Sequence, residues 1–143
     1  MKKWQFPPVK KAIVYVEWLD LHPSIDNVAY SINDGDSTIV KLPISCPPGV
    51  YKPEKNQLMF NAVCSVLSKI LPEFCLYDVE LKTRSKSLKN YYCGKIKPGK
   101  KYFPYGPKEF IDLGKRFKSF KVEPVPEINR RIKALRQCIL TSQ

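Results

Sequence analysis

Acidic residues are scarce in this chain, and scarcest where basic residues accumulate. Its 143 residues hold 13 Asp and Glu against 25 Lys and Arg, for a net charge of +12. Residues 81–143 carry seventeen Lys/Arg and four Asp/Glu, whereas residues 1–80 carry eight and nine. That asymmetry excludes a cationic partner and points to a polyanion, with nucleic acid first, an anionic membrane surface second and an acidic protein as the rival class. Histidine is nearly absent, with His22 alone, and none of Cys46, Cys64, Cys75, Cys93 and Cys138 stands in a CxxC pair. A zinc site and a Cys–His nucleophile pair are therefore both disfavoured, and the thiols are expected to be reduced. No apolar run is long enough to span a bilayer, and Pro7 and Pro8 interrupt any signal-peptide core. The expectation is one intracellular domain over 1–143, cytoplasmic or nuclear, with no cofactor. A hydrophobic content of 43% is enough to give it a core.

Among what is present, residues 54–71 (EKNQLMFNAVCSVLSKIL) give the clearest pattern. Met59, Ala62, Val63, Val66, Leu67 and Ile70 recur at steps of three and four, so they share one helical face. Pro53 and Glu54 suit the helix start, and Pro72 predicts its end. From Lys55 to Leu71 there is no carboxylate. Before this helix, residues 11–19 (KAIVYVEWL) predict a strand buried on both faces, and residues 20–26 a link. Residues 27–33 and 38–45 predict two further strands joined by the hairpin signal Asn33-Asp34-Gly35-Asp36, with Pro43 marking an edge or bulge. After it, residues 74–82 predict a fourth strand, 83–92 a short helix capped by Ser85, and 93–107 a loop. Residues 108–117 predict a helix weakened by Gly114, 120–125 a fifth strand, and 127–140 a closing helix. Its apolar face would be Ile128, Ile132, Leu135 and Ile139.

This order is that of an α+β protein (the α/β three-layer type), a mixed five-stranded sheet with helices packed on it, and it resembles the ribonuclease H-like fold family over nearly the whole chain. AIVYVEW is similar to that family's opening strand, which runs into an acidic residue. LKTRSKSLKNYYCGK resembles its fourth-strand motif, where an aspartate-serine pair precedes a short helix. FKVEPVPEINRRIKAL resembles its closing strand and Asn-bearing last helix. The resemblance implies two divalent metals held by carboxylates from the first strand, first helix, fourth strand and last helix. Matched onto this chain, those positions become Glu17, Met59, Arg84 and Lys133. Three of the four are then apolar or cationic, which repels Mg²⁺ but suits phosphate oxygens. On that ground the chain is expected to be an inactive member, not an enzyme, with no metal.

The candidate nucleic-acid contacts fall in three groups. The first is Lys82, Arg84, Lys86, Lys89, Tyr91, Lys95, Lys97, Lys100 and Lys101, interleaved with Tyr92, Tyr102, Phe103 and Tyr105. Basic groups there neutralise phosphates and aromatic faces stack on bases, or else the rings belong to the core. The second is Lys115, Arg116, Lys118 and Lys121, where some ribonuclease H enzymes carry a basic handle. The third is Arg130, Arg131 and Lys133, where an arginine could instead pair with Glu127. Trp4 and Trp18 are expected to pack in the core or at an edge. The expected function is non-catalytic binding of duplex RNA or an RNA–DNA hybrid by shape and backbone, as in a virus-encoded suppressor of RNA silencing. The alternatives are a protein-interaction module engaging a host or polymerase partner, and an active Mg-dependent nuclease using Glu17, Asp20, Asp78 and Glu80.

Overall fold

The computed structural model describes residues 10–19, 28–40, 55–97, 99, 102 and 105–142. Expectations for Trp4, the 20–26 link with Asp20 and His22, residues 41–45 with Pro43, Cys46, the 46–54 approach to the helix, Lys100, Lys101 and Phe103 lie outside them.

Alternating apolar residues build the sheet. Strand β1 (Lys11–Trp18) pairs antiparallel with β2 (Val28–Ile32) and parallel with β4 (Asp78–Thr83). Strand β3 (Thr38–Val40) extends the β2 side and β5 (Ser119–Pro124) runs parallel to β4, for an order β3-β2-β1-β4-β5. As the central strand, β1 is covered on both faces. Ala12, Val14, Val16 and Trp18 join the core of helix α1 (Lys55–Phe74), including Phe60, Val63 and Leu67. From the opposite face Tyr15 packs with Ala29 and Ile39 against Leu135 and Ile139 of helix α4 (Arg130–Thr141). The hairpin forms as the sequence implies: Asn33 takes φ 54°, and its side chain accepts the Ile13 N–H at 2.9 Å.

Several boundaries differ from expectation, each for a local reason. Helix α1 carries Pro72 in its last turn and continues to Phe74, because Leu71 is buried and Phe74 packs on Tyr77 at 4.8 Å. Residues 74–77 are thus used by the helix end and a turn, and β4 begins at Asp78. Ser85 does not cap the short helix α2 (Ser87–Tyr92), which has no side-chain cap. Helix α4 begins only after Asn129, whose Oδ1 accepts the N–H groups of Arg131 and Ile132. Ile128 therefore precedes the helix and is 76% exposed instead of joining the core.

Gly114 lies within helix α3 (Pro107–Lys115), where the sequence shows only a poor helix former. A Cβ there would meet the Tyr92 ring at 2.6 Å and the Phe120 ring at 2.7 Å, so these rings pack directly on the glycine backbone. Gly114→Ala would gain about 1 kcal/mol of helix propensity but overpack this contact, at a cost of roughly 1–3 kcal/mol. A net loss of stability in urea denaturation is expected.

Candidate nucleic-acid interface

Parallel pairing brings the C-terminal ends of β1 and β4 side by side, so Glu17 and Trp18 meet the residues that follow Thr83. Glu17 is fully buried. Its Oε1 accepts the Arg84 Nε–H at 2.6 Å and the Trp18 backbone N–H at 3.0 Å. Its Oε2 accepts Arg136 Nη2 at 3.0 Å. Arg84 also donates Nη2 to the Trp18 carbonyl at 2.9 Å, with its guanidinium 5.2 Å from the Trp18 ring centroid. Both carboxylate oxygens are thus taken by guanidinium groups from two different elements.

Beside this cluster opens a cleft of about 620 Å³, lined among others by Trp18, Lys55, Met59, Arg84, Lys86 and Glu127. Ser85 Oγ lies 3.0 Å from Met59 Sδ and 3.1 Å from Ser87 Oγ. A divalent metal of the kind the fold implies needs several oxygen ligands. Here the buried carboxylate is already saturated, its neighbours are a thioether and a cation, and no group of three His, Cys, Asp or Glu suited to a metal occurs among the described residues. The described residues do not fit that metal. The described members of the alternative set do not come together either. Asp78 and Glu80 pair with Lys11 and Ile13 near the start of β1, Asp78 is bonded to Ser119 at 2.6 Å, and Glu80 lies 3.7 Å from Lys11.

The sequence-derived positions are brought together only in part. Met59 and Arg84 share the cleft, whereas Lys133 is exposed and Arg136, one turn further on, reaches Glu17 instead. Lys86, Lys89, Lys95 and Lys97 are exposed on and around α2, and Lys82 stands 5.8 Å over the Tyr15 ring. Tyr91 packs edge-on against Phe60 at 5.2 Å, and Tyr92 packs on Phe110 and Phe120; burial raises the Tyr92 hydroxyl above its usual range. These two rings behave as core more than as stacking platforms. Arg131 pairs with Asp34 at 2.7 Å, not with Glu127, while Arg130 is exposed. Lys115, Arg116 and Lys118 are exposed but precede Ser119, which pairs with Asp78 at the start of β4. They lie a strand length from Arg84, about 20 Å at roughly 3.3 Å per residue, so the second basic group does not reach the Arg84 cleft, although Gly114 beside Lys115 packs on Tyr92 of α2. Sequence reasoning missed Lys55 and Arg136. The available signals were the acid-free first turn of α1 and the spacing of Arg136 four residues after the buried Ile132.

The sheet order, its mixed pairing and helices on both faces define a ribonuclease H-like fold. Solved structures agree. The chain is similar to RNase H1 from the halophilic archaeon Halobacterium salinarum NRC-1 (19% identity, TM-score 0.64, 93% of this chain and 99% of that one). It is similar to the N-terminal RNase H domain of rv2228c from Mycobacterium tuberculosis (10% identity, TM-score 0.62, 93% and 98%). A third is LC11-RNase H1 in complex with an RNA/DNA hybrid (11% identity, TM-score 0.58, 91% and 97%). No family model and no curated protein sequence matches the chain. The expectation of a non-enzyme is corrected here: these three matched structures are ribonucleases H, and nothing in the comparisons supports inactivity.

Removing the one buried carboxylate that two guanidinium groups share leaves both without their counter-charge. Glu17→Ala is expected to cost about 3–5 kcal/mol, read as a lower urea midpoint. Arg136→Met should cost less, since Arg84 still holds Glu17.

Proposed function

We propose that this chain binds nucleic acid through the surface around the C-terminal ends of β1 and β4, with an RNA–DNA hybrid or duplex RNA as the favoured partner. The observation that carries the reading is the cationic rim there. Lys55 and Lys86 line a cleft in which Arg84 is fixed by Glu17, and Lys89, Lys95 and Lys97 are exposed on α2 and just after it. Such a rim neutralises phosphates and releases their counterions, a sequence-independent mode in which backbone and groove shape are read. The fold supports it as well, since one structure of this fold was solved with an RNA/DNA hybrid. A role in shielding viral or host RNA from processing follows if duplex RNA is the natural partner.

A nuclease is the second reading, favoured by the class of the matched structures. In this chain it requires Glu17 to be released from both guanidinium groups. Incubating labelled hybrid with Mg²⁺ or Mn²⁺ tests it directly: specific cleavage, lost in Glu17→Gln, establishes this reading.

Binding is tested by fluorescence anisotropy with hybrid, duplex and single-stranded probes at several salt concentrations. Lys55→Glu/Lys86→Glu/Lys89→Glu is expected to reduce the slope of log K against log salt by about 2–3 and to weaken all duplex probes alike. Lys115→Glu/Arg116→Glu/Lys118→Glu, at the far strand end, should have a much smaller effect. Binding unaffected by the first variant would overturn the reading.

A further inference from the structure

We infer that the cleft beside Arg84 is a pocket for a phosphate monoester, the end of a nucleic-acid strand or a free nucleotide, held by side chains without a metal ion. This deepens the proposed function and rests on it only for the identity of the larger ligand. Three observations converge. Lys55 and Lys86 line the cleft, are exposed, and make no ion pair among the described residues, whereas Arg84 shares the single charge of Glu17 with Arg136, which leaves that cluster one positive charge in surplus. The two unpaired ammonium groups and the surplus of the Glu17 cluster, less the charge of Glu127, leave about two positive charges, which match a monoester, about −1.5 to −2 at pH 7, better than the single charge of an internal phosphodiester. Glu127 is the acid among the described lining residues and disfavours a more highly charged group.

The hydroxyls of the cleft are poised to change partners. Ser85 Oγ and Ser87 Oγ lie 3.0 and 3.6 Å from the Met59 thioether, a weak acceptor that a phosphate oxygen readily outcompetes. Trp18, Leu58 and Met59 add an apolar lining for the attached sugar or base. A volume of about 620 Å³ lies within the range of sites that enclose small ligands.

The test uses the full chain in EDTA, with two single-stranded oligonucleotides of one sequence that differ only in a 5′-phosphate or 5′-hydroxyl end. The phosphorylated strand is expected to bind at least tenfold more tightly. That preference should vanish in Lys55→Ser/Lys86→Ser, whose thermal melt should match wild type because both side chains are exposed and unbonded. It should persist in Lys115→Ser/Arg116→Ser/Lys118→Ser. Competition by adenosine monophosphate, but not by adenosine, assigns the pocket to free nucleotides as well; without competition, the strand end is the ligand. Equal binding of the two strands, or a preference that survives in Lys55→Ser/Lys86→Ser, overturns the inference. If the inference fails while hybrid binding persists, only the pocket assignment is lost. A monoester preference without duplex binding would instead overturn the proposed function and leave the pocket standing.

Discussion

A single buried carboxylate organises this molecule. Glu17 sits at the end of the central strand with no solvent access, held by Arg84 from the end of β4 and Arg136 from α4. An ionised carboxylate in that position is tolerable only if its oxygens are bonded and its charge is offset, and the two guanidinium groups do both. The same bonds tie α4 and the β4 end to one point, with Arg84 reaching the Trp18 carbonyl as well. Because the interaction is shared by three elements, each fixes the position of the others, and the shape of the neighbouring cleft follows from it.

The arrangement also sets the chemistry of the surface. The resemblance to ribonuclease H implies oxygen ligands for divalent metal at this strand end, but among the described residues the Glu17 carboxylate is buried and saturated by two guanidinium groups. What projects around the cleft is Lys55, Lys86 and two serine hydroxyls resting on sulfur. Fold and site thus carry separate information. The fold matches that of ribonucleases H, whereas the described side chains of the cleft are mostly cationic, hydroxylic or apolar. Lys89 of α2 is exposed, and the cations preceding β5 sit too far along the sheet from Arg84 to share a small ligand with it.

Much of the architecture was legible because it rests on periodicity. The stripe on α1, the doubly buried β1 and the Asn33–Gly35 turn are local patterns that tertiary packing reinforces. The errors fall where packing overrides a local signal. Pro72 does not stop α1, because Leu71 and Phe74 are anchored beyond it, and Ile128 stays exposed because Asn129 supplies the cap. Gly114 reads as a weak helix residue until the rings of Tyr92 and Phe120 are placed against it. At the site, Glu17, Met59 and Arg84 were legible from their positions in the motif order. Arg136 was not, since its spacing from Ile132 sets it on the inner side of α4 but does not tell that Glu17 of β1 lies opposite. Nor could sequence show that Arg84 serves Glu17 before it serves any ligand.

The central claim is that positive side chains, not a bound metal, present this face to nucleic acid. The most direct measurement is the affinity for an RNA–DNA hybrid in EDTA and in millimolar Mg²⁺ at matched ionic strength, with the Arg84 and Arg136 Nε–H resonances followed by NMR. The expected result is binding that persists in EDTA, with both resonances unmoved by Mg²⁺. Binding that requires Mg²⁺, with either resonance shifting as the ion is added, would contradict the account.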